Sequence, residues 1–380
     1  MRNKKFKIAM FGQKRMPSRE GGVEIVVEEL STRMAKLGHE VTCYNRRGHH
    51  VSGSEFDSNN SELKEYNGVN IKSVLTIDKK GLAAISSSFF ATLACCFKKY
   101  DVVHIHAEGQ GFFCGLIKLF RPKTRLIATI HGLDHQRADK WSKFARWIIL
   151  QGEKQIVKHA DAIIVLSKNV QDYFKQTYNR DTIFIPNGVN KPNKKEANKI
   201  YDKFNLCKDG YILFLGRLVP EKGIKYLIEA FKAVKTDKKL VIAGGSSDSQ
   251  NYVNELKDLA NNNSRIVFTG FVQGQILEEL YSNAYMYCLP SDLEGMPLSL
   301  LEAMSYGNCC LVSDIPECSE VIEEHAVTFK KSSVEDLHHK LQELIDDPNK
   351  VESYKAKAAD YICNKYNWDS VVSRTLNLYH

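Results

Sequence analysis

The stretch KIAMFGQKRMPSREGGVEIVVEELSTRMAKLGHEVTCYN runs from Lys7 to Asn45. It opens on a short apolar run, KIAMFG, passes through a helical pattern, GGVEIVVEELSTRMAKLG, and closes on a second apolar run, EVTCYN. The same rhythm continues through YDVVHIHA, TRLIATIHG, ADAIIVLS and DTIFIPNG. Short apolar strands alternating with helices predict a parallel sheet covered on both faces. The polar, lysine-rich stretch VNKPNKKEANK, residues 189–199, interrupts the rhythm and reads as a linker. The scheme then restarts with YILFLGR, KKLVIAGG, SRIVFTGF, AYMYCLP and NCCLVSD. Two Rossmann-like domains in tandem, with a cleft between them, are therefore expected over 1–188 and 200–355. The remaining segment, 356–380, is a long helical pattern broken near Asn367–Trp368.

The length of 380 residues and the 43% apolar content suit two domains rather than one core. The ten cysteines include no C-x-x-C pair, which argues against a zinc site or a disulfide framework and for buried thiols in a reducing cytosol. The apolar run near the N-terminus is too short for a signal peptide. Residues 81–97, GLAAISSSFFATLACCF, carry no charge. Their length and three serines suit a buried or membrane-facing helix of a soluble domain better than a span. Residues 1–190 hold 30 Lys+Arg against 18 Asp+Glu, a net +12, and residues 191–380 hold 23 against 27, a net −4. A basic half suggests a face that meets something anionic, and solubility alone would also account for it.

Ligands of doubly wound sheets bind beyond the carboxyl ends of the strands. After the strand AYMYCLP comes LPSDLEGMPLSLLEAMSYG, Leu289 to Gly307, with Glu294 and Glu302 eight positions apart. Pro297 sits near a helix start, and the amides from Gly295 through Met296 and Leu298 to Ser299 would point outward as an anion site. The carboxylates would then address sugar hydroxyls, so that a nucleotide sugar fits both features. Spacing alone fits equally well a surface helix with two solvated glutamates. GRLVPEKG, Gly216 to Gly223, follows the strand YILFL and carries Arg217 and Lys222. IAGG with Gly244, and FTGFV with Phe271 and Val272, follow two further strands. In the first half, Gly21 and Gly22 open a helix that contains Glu24, and His131 and Asp134 follow the strand ending at Ile130.

E-G-x-P-x-x-x-x-E followed by A-M-x-x-G, together with GRLVPEKG, resembles the retaining glycosyltransferases of family 4, which have the GT-B fold. The resemblance covers nearly the whole chain. It implies a C-terminal helix crossing back to the N-terminal domain, which binds acceptor, and a nucleotide-sugar-binding C-terminal domain. By this resemblance Arg217 and Lys222 clamp the donor diphosphate and neutralise the charge of the leaving group. His131 contacts the transferred sugar, Glu294 lies at or near that sugar, and Glu302 meets the ribose hydroxyls. Gly21 and Gly22 form the glycine loop, with Glu24 and Asp134 on the acceptor side. Gly216, Gly244, Phe271, Val272, Gly295, Met296, Pro297 and Leu298 line the donor site. No D-x-D triplet occurs in the chain, so metal-independent chemistry without a cofactor is expected. HGLDHQRADKW and GGVEIVVEEL resemble a bacterial polysaccharide and cell-wall subgroup that includes rhamnosyltransferases.

The expected reaction moves a hexose or deoxyhexose from a UDP- or dTDP-sugar, with retention, to a glycan acceptor. That acceptor is expected to be lipid-linked, in surface polysaccharide or capsule synthesis in the cytoplasm. In WSKFARWIILQGEKQIVK, Phe144, Trp147, Ile148 and Ile149 flanked by Lys143 and Arg146 could lie on an anionic membrane or face the domain's own core. No nucleic-acid motif is present. Two rivals are a nucleotide-sugar 2-epimerase of the same architecture and a non-catalytic membrane-associated scaffold. Epimerisation of donor alone would mark the first, and absence of nucleotide-sugar binding the second.

Overall fold

In a computed structural model the chain is described over residues 4–48, 63–79, 81–136, 142–245 and 250–380. It divides into two compact units, one of residues 1–187 with 368–380 and the other of residues 188–367.

The first unit runs β1 (Lys7–Phe11), α1 (Gly22–Lys36), β2 (Glu40–Arg46), β3 (Glu65–Tyr66), β4 (Val69–Val74), α2 (Leu82–Phe97) and β5 (Val102–His106). It continues through α3 (Cys114–Phe120), β6 (Arg125–Ile130), α4 (Lys143–His159), β7 (Ala162–Val165), α5 (Lys168–Tyr178) and β8 (Ile183–Phe184). Among the described residues the strands lie in the order β3-β4-β2-β1-β5-β6-β7-β8. All neighbours are parallel except β3 and β4. The central strands are buried from end to end, as a sheet covered on both faces requires.

The uncharged segment at 81–97 becomes α2, which buries Ala83, Ser86, Ser87, Ser88, Ala91, Thr92, Cys95 and Cys96 against the core of this unit. Its serines suit that place because Ser86, Ser87 and Ser88 bond back to carbonyls of their own helix. Among the described residues no helix is long and apolar enough to cross a membrane. The stripe expected on residues 141–160 splits. Ile149 turns into the core, while Phe144 and Trp147, 68% and 51% exposed, stack on each other outside. Trp141 and residues 137–140 lie outside the described residues.

The second unit runs α6 (Lys199–Phe204), β9 (Tyr211–Leu215), α7 (Ile224–Ala233), β10 (Lys239–Ala243), α8 (Gln250–Ala260), β11 (Ile266–Gly270) and α9 (Gly274–Asn283). There follow β12 (Met286–Leu289), α10 (Leu298–Ser305), β13 (Cys310–Ser313), α11 (Pro316–Ile322), β14 (Val327–Phe329), α12 (Val334–Asp346) and α13 (Pro348–Lys365). Its sheet is parallel throughout, in the order β11-β10-β9-β12-β13-β14.

The stretch 189–199 belongs to this unit and is tied to it: Asn283 Nδ2 donates to the Lys195 carbonyl at 2.9 Å, and the Lys195 amide to Ser282 Oγ at 2.9 Å. α13 also stays here, and the chain returns to the first unit only with α14 (Trp368–Asn377). The cysteines are free, and most are buried.

Candidate active site

The second sheet reverses direction at its middle. From β9 the chain builds outward through β10 to β11, then returns to place β12 on the other side of β9. The two loops leaving the carboxyl ends of β9 and β12 therefore diverge from adjacent strands and frame a crevice. These loops carry GRLVPEKG and PSDLEGMP.

The first loop ends in a single helical turn, Pro220–Lys222, closed by Gly223 at φ +64°. A Cβ at Gly223 would sit 1.9 Å from the Pro290 carbonyl oxygen, so glycine alone lets this turn lie against the end of β12. That approach delivers Lys222 to the second loop. Its Nζ lies 2.5 Å from Glu294 Oε1, which also accepts from Ser291 Oγ at 2.6 Å. Both side chains are shielded, at 12% and 8% exposure. The turn is fixed from behind by the Asp292 amide, which donates to the Glu221 carbonyl at 2.9 Å. Asp292 is itself held by Tyr226 and Ser332.

Arg217 stands half-buried at the start of the same loop, and its guanidinium makes no hydrogen bond or ion pair among the described residues. Gly216 and Gly244 lie side by side, since the Gly216 amide donates to the Ala243 carbonyl at 3.0 Å and the Gly244 amide to the Gly270 carbonyl at 2.9 Å. Phe271 and Val272 follow β11, half-buried.

Gly295, Met296, Pro297 and Leu298 are buried. Pro297 precedes the helix rather than opening it, with φ −75° and ψ 99°, and no side chain caps α10. Its carbonyl receives the amides of Leu300 and Leu301, so those of Leu298 and Ser299 have no intrahelical acceptor. Glu302, half-buried within α10, accepts from Tyr281 OH at 3.2 Å. Lys222, Glu294 and the start of α10 thus converge. Glu302 is set apart by its own tyrosine anchor.

In the first unit, β1 and β5 mark the corresponding reversal. Gly21 caps α1 in extended backbone, and Gly22 is its first residue. The space where a Cβ would stand at Gly21 is filled by Glu24 Oε2, at 2.7 Å. Glu24 is buried and accepts the Lys14 amide at 2.8 Å. Three histidines run beneath. His104 Nδ1 meets Tyr379 OH at 2.8 Å and its Nε2 meets Thr129 Oγ1 at 2.7 Å. The His104 ring stacks on His106, and His106 Nδ1 lies 3.1 Å from His131 Nε2.

Burial lowers all three. His131 falls to about 4 against the opposing pull of Glu24 and Asp134, and His104 falls to about 3. His106 is held well below its ordinary value by burial and by its two histidine neighbours. His131 is therefore neutral near pH 7 and suited to hydrogen bonding rather than to carrying charge.

Asp134 opens a one-turn helix, and its amide donates to Glu108 Oε2 at 2.9 Å. Sequence reasoning passed over Glu108, His135 and Glu153, which meet beneath this turn, and over His104 and His106. The alternation of two histidines in VVHIH was the available sign of a buried polar face.

The model of group 1 glycosyl transferases matches residues 193–361, and that of Glycosyltransferase Family 4 matches residues 20–191. An uncharacterized glycosyltransferase of Methanocaldococcus jannaschii is 27% identical over 98% of this chain and 97% of its own. The N,N'-diacetylbacillosaminyl-diphospho-undecaprenol alpha-1,3-N-acetylgalactosaminyltransferase of Campylobacter jejuni is 29% identical over 49% of this chain and 48% of its own. Among solved structures, Anabaena HepE in complex with UDP-glucose superposes with a TM-score of 0.80 at 16% identity, covering 98% of both chains. With one glycosyltransferase family model matched on each unit, this protein belongs to glycosyltransferase family 4 and is a glycosyltransferase of the GT-B fold.

Proposed function

We propose that the chain transfers a hexose or deoxyhexose from a UDP- or dTDP-sugar, with retention, to a lipid-linked glycan in surface polysaccharide synthesis, as rhamnosyltransferases do. The observation that carries the donor half is the convergence after β9 and β12. Lys222, the Arg217 guanidinium and the uncapped start of α10 offer cationic and amide groups to a diphosphate without a metal. Glu294, which holds Lys222, is the proposed contact of the donor sugar, and Glu302, anchored by Tyr281, that of the ribose hydroxyls. His131 and Asp134 are the proposed sugar and acceptor contacts of the first unit.

In the reaction the bond from the anomeric carbon to the leaving phosphate oxygen breaks. The acceptor oxygen bonds to the same face, and its proton passes to that phosphate. Support for a UDP-linked donor comes from the HepE complex, and for a lipid-diphosphate acceptor from the Campylobacter enzyme's name. The outward pair Phe144 and Trp147 and the excess of cations in residues 1–190 suit a peripheral approach to an anionic membrane.

A panel of UDP- and dTDP-sugars assayed by calorimetry and by transfer tests this reading. Glu302→Ala is expected to weaken donor binding about 10-fold, the loss of roughly one charged hydrogen bond. Arg217→Ala is expected to slow transfer about 100-fold or more. Near-normal turnover of Arg217→Ala would remove the clamp, and epimerisation of donor without acceptor would replace transfer as the activity.

A further inference from the structure

Three ionisable side chains from separate segments meet beneath the loop that carries His131 and Asp134. Glu108 follows β5, His135 lies in the one-turn helix Asp134–Gln136, and Glu153 lies in α4. His135 Nδ1 is 3.5 Å from Glu153 Oε2 and 3.8 Å from Glu108 Oε1. These same three atoms are buried and have no hydrogen-bond partner among the described residues. The glutamates themselves are 1% and 0% exposed.

Every other polar atom of the cluster is occupied. Glu108 Oε2 accepts the Asp134 amide at 2.9 Å. Glu153 Oε1 accepts the hydroxyls of Tyr173, at 2.9 Å, and Tyr178. His135 Nε2 lies 3.4 Å from Tyr173 OH. Because Tyr173 gives its proton to Glu153, it can only accept from His135, which places a ring proton on Nε2; Nδ1 then carries a lone pair in the neutral ring and a second proton in the imidazolium.

With the ring neutral, two carboxylate oxygens and one lone pair face one another with no donor between them. Such an arrangement is repulsive unless something positive joins it. The backbone is shaped to produce it. Ala107 adopts φ +80°, rare for a residue with a side chain, immediately before Glu108. Gly152 lets α4 close on the Glu108 carbonyl, which a Cβ there would meet at 2.4 Å.

We propose that Glu108 Oε1, His135 Nδ1 and Glu153 Oε2 bind one divalent cation of the zinc or manganese class. Ligand atoms about 2.0–2.2 Å from a tetrahedral zinc stand roughly 3.3–3.6 Å apart, near the 3.5 and 3.8 Å from His135 Nδ1 to the two carboxylate oxygens. An imidazole ligand favours these metals over magnesium. The outer hydrogen bonds from Tyr173, Tyr178 and the Asp134 amide are those that orient metal ligands and fix a tautomer. The bound cation ties the 131–136 loop to α4. It lies in the first unit and leaves the metal-free diphosphate clamp unchanged.

The test uses the full chain, freed of any tag, stripped with chelator and dialysed. Zn²⁺ and Mn²⁺ are titrated by calorimetry, and Co²⁺ by visible absorption. One equivalent is expected to bind at micromolar Kd or tighter, with Co²⁺ giving the bands of a four- or five-coordinate site. His135→Gln and Glu153→Gln should each weaken binding at least 30-fold while circular dichroism stays unchanged. Absence of stoichiometric binding would overturn the proposal, as would variants that bind like the parent chain. Failure of the parent chain to bind metal, together with a higher Tm in Glu153→Gln, would overturn it in favour of a proton shared within the cluster.

Discussion

Lys222 and Glu294 form a shielded pair at 2.5 Å, and Ser291 supplies a third member. Removing one partner of such a pair leaves the other charge without compensation, at a cost of about 3–5 kcal/mol, whereas removing both costs far less. Lys222→Met is therefore expected to lower stability by about 3 kcal/mol, and Lys222→Met with Glu294→Gln to recover most of that loss. A double-mutant cycle by denaturant unfolding measures the coupling, and additive single effects would show that the two side chains do not act as a pair. Under the proposed clamp, the same pairing holds the lysine at fixed position before a diphosphate arrives. Its long side chain loses its freedom during folding rather than during binding.

An element does what no single residue can, and the turn Pro220–Lys222 shows how. It reaches the end of β12 only because Gly223 has no side chain. Gly223→Ala must either strain the left-handed backbone or push the loop off Pro290, and it is expected to weaken donor binding by 10-fold or more. Gly274→Ala provides the comparison, because Gly274 has φ +58° but open space around the missing Cβ. That variant should lose only about 1 kcal/mol of stability and keep donor affinity. Equal affinity losses in the two variants, measured by calorimetry, would contradict the packing argument.

At this scale the sequence was informative because the site follows the strands. Apolar runs placed β9 and β12, and the residues just after them were the ones that converged. The Glu108–His135–Glu153 cluster was harder to see, since three distant segments meet only in the folded chain. One sign was present: Ile149, Glu153 and Ile156 recur at spacings of four and three, which puts a carboxylate on the buried stripe of α4. The stripe expected on Phe144, Trp147, Ile148 and Ile149 divides for the related reason that Phe144 and Trp147 share a different face from Ile149.

For the whole molecule, folding is linked to protons. His131 and His104 are held neutral in the first unit down to about pH 4 and about pH 3, and His106 is held well below its ordinary value, but all three take up protons near pH 6.5 when unfolded. The unfolded chain then binds more protons, so their contribution to stability is complete above pH 6.5 and is lost as the pH falls toward 4. Each group adds at most about 1.4 kcal/mol per pH unit to the slope. His104→Gln is expected to flatten the dependence of unfolding free energy on pH across this window by up to that amount. Denaturant titrations at pH 7.5, 6 and 5 measure it, and unchanged slopes would show that His104 is not the group responsible.

The chain enters the first unit twice, with Tyr379 reaching His104 and the Leu378 carbonyl receiving Arg125 Nε at 3.0 Å. On a ribosome, therefore, β5 and β6 emerge long before the segment that covers their polar side. The later-made 188–367 unit can close on itself while the earlier-made one still waits with His104 uncovered. Nascent-chain assembly thus runs out of order, and the older half is covered only when the segment carrying Tyr379 arrives.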